Sequence, residues 1–196
     1  MTAHFQNIRP NSLGDLPRIH PSAFVDPSAQ IIGNVDIGQG VLVGPLAVIR
    51  ADETGPDGRV QPIQIASDSN IQDGVIIHSL GGTSVLIGQK VSVAHGVIIH
   101  GPCEIGNECF LALRSVFYNA TLEEAVWVGI GSIIMRATIP AGTMVPAGSI
   151  IRSKTDVRHF RLVNEKEQSY REDVLEASHK VRRGYAELYQ GDKPGA

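Results

Sequence analysis

From Val25 onward an aliphatic residue returns at every sixth position, and no other property of the chain restricts its fold as tightly. Val25, Ile31, Ile37, Val43 and Ile49 form the first run. A polar segment from Glu53 to Pro62 interrupts it, after which Ile65, Ile71 and Ile77 resume the count. A shorter break, SLGGTS (79–84), precedes the longest run: Ile87, Val93, Ile99, Ile105, Leu111 and Phe117. Within that run Val91, Val97, Cys103, Cys109 and Ser115 hold small or β-branched side chains four positions after a lattice residue, and Ile139, Val145 and Ile151 close the series. A period of six fits neither the helical period nor the alternation of a long strand. It suits short strands joined by tight corners, each six-residue unit forming one side of a coil.

This pattern resembles the left-handed parallel β-helix built from hexapeptide repeats, in which three six-residue sides make an 18-residue triangular coil. The reading divides the chain into an N-terminal extension (1–19), the β-helix (20–155) and a C-terminal α-helix (160–190). In the last part Tyr170, Val174, Ala177, Val181, Tyr185 and Leu188 recur at three- and four-residue steps, an amphipathic stripe. Asn164 and Glu167 make a capping box, and Gly191 and Pro194 supply stop signals. Such a helix is expected to pack on the β-helix or on a neighbouring subunit.

Composition removes several classes of function. A net charge of −3 and an aromatic content of 5% leave neither a positive field nor stacking platforms for nucleic acid. The first twenty residues lack the apolar core of a signal peptide, and no run approaches the ~18 apolar residues of a membrane span. A cytoplasmic protein without membrane or nucleic-acid partners is expected. Cys103 and Cys109 occupy equivalent positions of successive repeats on different faces, so they read as two small buried thiols rather than a disulfide.

The lattice gives meaning to three of the seven histidines. His78 and His100 each follow a lattice aliphatic, and their separation of 22 residues is one 18-residue coil plus the four residues added at SLGGTS. They stack on consecutive coils about 4.8 Å apart. His95 points outward from the preceding side, so one subunit does not bring all three imidazoles within the ~2.1 Å of a zinc ion. In a cyclic trimer each copy offers His78 and His100 to one neighbour and His95 to the other.

At these residues the chain resembles a γ-class carbonic anhydrase, through RADE (50–53), SNIQDGVIIHSL (69–80) and VSVAHGVIIHGP (91–102). FLALRSVFYNA (110–120) is also similar to the γ-class domain of the carboxysomal scaffold protein. The resemblance implies His78, His95 and His100 as ligands of zinc or iron(II), one metal per interface of a homotrimer. It implies CO2 and bicarbonate as substrates, hydrated through a water activated by the metal. It implies an intersubunit ion pair of Arg50 with Asp73, with Asp52 in the same network. Asn70 and Gln72 correspond to amides beside the metal, and Glu53 to a proton-accepting carboxylate. Two family features are replaced: a proton-transferring glutamate by Gly81, and a helix asparagine by Ser178, with His179 beside it. Two other readings use the same repeat: a hexapeptide acyltransferase that binds coenzyme A and uses one histidine as base, and a trimeric assembly module of low activity.

Overall fold

The six-residue units become short strands whose backbones pair in parallel with the coil before and the coil after. The computed structural model describes residues 6–153 and 156–190. One column of the lattice reads Ile31, Ile49, Ile77, Ile99, Phe117, Ile134 and Ile151, each in register with the next. All seven are at most 1% exposed. The chain winds as a left-handed parallel β-helix of about seven turns with a single C-terminal helix.

Three faces result. The first holds Val48–Ala51, Ile76–Ser79 and the start of Ile98–Ile105; the second holds Val35–Ile37, Ile63–Ile65 and Val85–Ile87. The third holds Leu42–Val43, Asn70–Ile71, Ser92–Val93 and Phe110–Leu111. Both interruptions of the repeat fall at the corner between the first and second faces, where they add loops without disturbing the stack. Ile8–Arg9 pairs with Gln30–Gly33, and Arg18–Ile19 pairs with Val35–Ile37, so strands of the first coil lie within residues 8–19.

The series does not lapse between Phe117 and Ile139, as a strict count of six suggests. Leu122, Val128 and Ile134 fill the gap as buried core residues. The register slips after His100↔Tyr118, so that Cys103 faces Ala120. Where Gly101 and Pro102 turn one corner, Asn119 alone turns the next with φ of 50°, shortening that side by one residue.

The helix Glu165–Gln190 runs back along the third face, from Tyr170 beside Trp127 to Tyr185 stacked 5.3 Å from Phe24. Its first turn carries the expected capping box. Asn164 Oδ1 accepts from the backbone N–H of Lys166 and Glu167 at 3.0 and 3.2 Å, and Glu167 Oε2 accepts from Asn164 N–H at 2.9 Å. The stop signals at Gly191 and Pro194 lie outside the described residues. The side pressed on the solenoid is Arg171, Leu175, Ser178 and Arg182, one residue and therefore about 100° from the expected stripe. Two arginines decide this. Arg171 Nη1 donates to the Glu108 carbonyl at 2.8 Å and Arg182 Nη1 to the Ser22 carbonyl at 2.7 Å. Tyr170, Val181 and Leu188 of the stripe stay 55%, 47% and 64% exposed.

No helix among the described residues is long and apolar enough to cross a membrane. Cys103 and Cys109 are free and buried, and burial pushes their thiols up to about 11 and about 12. At pH 8 neither should react with iodoacetamide in the folded protein, while denatured protein labels at both; mass spectrometry of the adducts reads the result. Phe117 is fully buried, and Phe117→Ala should lower stability by about 3–5 kcal/mol in a denaturant titration.

Candidate functional site

His78 and His100 stand side by side because their strands pair in register, with Arg50 one coil earlier in the same column. Their ring centroids are 5.3 Å apart at an interplanar angle of 77°. His78 points outward, yet it is buried, because the chain leaving strand Val48–Ala51 folds over it. Its Nε2 lies 3.4 Å from Asp52 Oδ1 and 3.4 Å from Glu53 Oε1, buried and without a hydrogen-bond partner. Burial, reinforced by the Arg50 guanidinium, holds this imidazole below the usual histidine pKa. At neutral pH it is uncharged, the form that ligates metals. His100 Nδ1 lies 3.2 Å from the Gly101 carbonyl oxygen, which can only accept. The proton therefore sits on Nδ1 and the Nε2 lone pair is left to ligate.

The carboxylates beside His78 are fixed from two directions. Arg50 Nη1 donates to both oxygens of Asp52 at 2.8 and 2.7 Å, so within one chain Arg50 pairs with Asp52 and not with Asp73. Glu53 Oε2 accepts from the Gly81 N–H at 3.2 Å. A Cβ at position 81 would lie 2.3 Å from the Thr54 carbonyl oxygen, so the two loops cross too closely for any residue but glycine. Gly81 thus supplies no acid of its own; it holds the acid at 53.

His95 stands at the corner after strand Ser92–Val93, with its side chain 53% exposed and Nδ1 3.4 Å from Asp73 Oδ2. Among the described residues of one chain, no three His, Cys, Asp or Glu side chains converge on a metal position. The structure brings His78, His100, Arg50, Asp52 and Glu53 together and leaves His95 and Asp73 apart from them. The donor set fits a divalent cation as half a site, with an orphaned buried nitrogen on His78 and a free one on His100.

Beside His95 the amides form a chain. Asn70 Nδ2 donates to Ser92 Oγ at 2.9 Å; Gln72 Nε2 donates to Asn70 Oδ1 at 2.9 Å and to Ser178 Oγ at 3.2 Å. The last bond ties the C-terminal helix to the solenoid, so Ser178 faces the site while the ring of His179 lies 3.9 Å from Asp68. A cavity of about 270 Å³ between helix and third face is lined by these groups and by His95. Sequence reading passes over Ser92 and over Tyr118, whose ring lies 5.6 Å from His100. The signal is there: Ser92 follows Asn70 by the same 22 residues that separate the two histidines, and Tyr118 follows His100 by 18.

No protein-family model matches the chain. The carboxysome assembly protein CcmM of Nostoc is 34% identical over 178 residues, covering 86% of this chain and 31% of that protein. The chain thus spans about a third of that relative's length. A carbonic anhydrase of Methanosarcina thermophila is 32% identical over 177 residues, covering 78% of this chain and 69% of that enzyme. The carnitine operon protein CaiE of Escherichia coli is 35% identical over 161 residues, covering 79% and 77%. Among solved structures, a hexapeptide transferase family protein from Anaplasma phagocytophilum matches with a TM-score of 0.70 at 28% identity, over 91% of this chain and 97% of that one. With this fold, a paired-histidine column and a carbonic anhydrase matched over more than two thirds of its length, the chain belongs to the γ-class carbonic anhydrase family of hexapeptide-repeat proteins.

Proposed function

We propose that the protein is a metal-dependent carbonic anhydrase of the cytoplasm, hydrating CO2 reversibly to bicarbonate at the interfaces of a homotrimer. The observation that carries this reading is the half-site: two imidazoles in register on adjacent strands, one of them kept uncharged by burial and left with an orphaned buried nitrogen. His78 and His100 of one copy and His95 of the next would hold zinc or iron(II). When bound, such a cation supplies Lewis acidity that lowers the pKa of a water from about 15.7 to about 7.

The chain's own residues do the rest. Hydration of CO2 yields bicarbonate and one proton, and turnover requires that proton to leave. Glu53 is placed to take it, with Oε1 against His78 and Oε2 held by the Gly81 N–H. Gln72 and Asn70 orient water or substrate; the Gln72 amide is held at one end by Asn70 and at the other by Ser178. Arg50 holds Asp52 beside His78 through two hydrogen bonds and, across the interface, is the partner for Asp73 of the neighbour. Similarity to a carboxysome assembly protein favours a second reading, a trimeric module of low activity, and the hexapeptide transferase neighbour favours a third, acyl transfer from coenzyme A.

Chelation followed by assay of CO2 hydration separates the three. The expected result is loss of activity, its return with zinc or iron(II), and no binding of acetyl-coenzyme A; activity indifferent to metal contradicts the proposal. Glu53→Gln should lower kcat by about 100-fold or more and regain part of it in imidazole buffer, as expected for a proton acceptor. Gly81→Ala, which leaves every proposed ligand in place, should slow the reaction in the same buffer-dependent manner, because it displaces the Glu53 clamp.

A further inference from the structure

Away from the histidine column, the first coil and the far end of the helix enclose another cavity. Residues 20–23 turn the corner between strand Arg18–Ile19 on the second face and strand Phe24–Val25 on the third. Between that corner and the last turns of the helix lies a space of about 560 Å³, walled chiefly by His20, Ser22, Phe24, Arg182, Ala186 and Tyr189. Along the third face Phe24 is three strands from Ser92, with Leu42 and Asn70 between, and its corner is on the opposite edge from the one that carries His95. The cavity belongs neither to the proposed metal site nor to the interface that would complete it.

Its polar side chains offer donors. The Ser22 backbone N–H donates to His20 Nδ1 at 3.2 Å, and the Ser22 hydroxyl, which accepts from the Gly40 N–H at 3.0 Å, lies 2.9 Å from the same nitrogen. With Nδ1 taken as an acceptor, the imidazole carries its proton on Nε2 and offers a donor there. Arg182 Nη1 donates to the Ser22 carbonyl at 2.7 Å, while its Nε is buried without a hydrogen-bond partner. No carboxylate lines the cavity, and among the described residues none pairs with Arg182. A partly buried cation without a counter-charge is costly until an anion reaches it.

The other wall is aromatic. Phe24 stacks on Tyr185 with ring centroids 5.3 Å apart and on Tyr189 at 5.8 Å, at interplanar angles of 16° and 26°. Phe24 is buried, whereas Tyr189 stays 46% exposed, so part of its ring is free to take a further flat group by offset stacking. A concave space with apolar walls and a few convergent polar groups has the character of a small-molecule site. Unpaired donors without acceptors call for an anion, and a guanidinium fork matches a carboxylate in shape as well as in charge.

We infer that this cavity binds a small aromatic carboxylate, with its ring against Tyr189 and its carboxylate between Arg182 and His20 Nε2. The inference does not depend on the proposed metal site, and its test needs no metal. In the full chain freed of metal, millimolar benzoate should shift the ring resonances of His20 and Tyr189 in NMR spectra and leave those of His100 in place. Acetate, which lacks the ring, and benzamide, which lacks the charge, should each bind about tenfold more weakly or worse. Arg182→Met and His20→Ala should each weaken benzoate by about the same factor, and Arg182→Lys should restore part of the loss. If Arg182→Met proves unfolded by circular dichroism, His20→Ala, altered at an exposed corner, decides alone. Benzoate that leaves His20 unmoved, benzamide bound as tightly as benzoate, or full affinity in His20→Ala would overturn the inference. Benzoate that shifts His100 instead, as binding at the proposed metal site would, or phenyl phosphate bound more tightly than benzoate, would overturn it too. A protein that binds benzoate here yet never hydrates CO2 when loaded with zinc leaves this cavity standing and removes only the catalytic reading.

Discussion

In-register parallel hydrogen bonding between successive coils is the constraint from which every other feature follows. A strand that slips by one residue turns its core face outward, and the buried column from Ile31 to Ile151 forbids that slip. The same bonds carry polar groups along. They set His78 beside His100 and Asn70 beside Ser92, without any attraction between those side chains being needed. A chemically useful column is thus a by-product of an aliphatic one. The two interruptions of the repeat fall where the stack tolerates them, at one corner, and there they fold over His78 and bring Glu53 to it.

Much of this is legible in the sequence because the period is local and strict. The histidine pair follows from counting 22 residues as a coil plus an insertion, and the helix start follows from Asn164 and Glu167. What is not legible depends on packing between distant segments. A count of six misses Leu122, Val128 and Ile134 because Asn119 turns its corner with one residue fewer than Gly101 and Pro102. The stripe expected on the helix differs from the face it buries, because Arg171 and Arg182 find backbone carbonyls on the solenoid and rotate the helix toward them. The burial of His78 and the need for glycine at 81 arise from loops that meet only in three dimensions.

These departures bear on function. Gly81 reads in sequence as a missing acid, whereas in the structure its N–H holds Glu53 against His78. Ser178 reads as a lost asparagine, whereas its hydroxyl closes the chain of amides from Ser92 through Gln72. In both places the shorter residue orients a neighbour instead of acting itself.

In the proposed enzyme the metal site is divided between copies. Co-expression of His95→Ala chains with His100→Ala chains tests it most directly, because each variant alone lacks a ligand at every interface. In mixed trimers the first chain still offers His78 and His100 and the second still offers His95. The prediction is that the separate variants bind no stoichiometric zinc, while mixed trimers recover metal together with CO2 hydration. Mixed trimers as metal-free as their parents, or a His95→Ala homotrimer that keeps full zinc, would contradict a shared site.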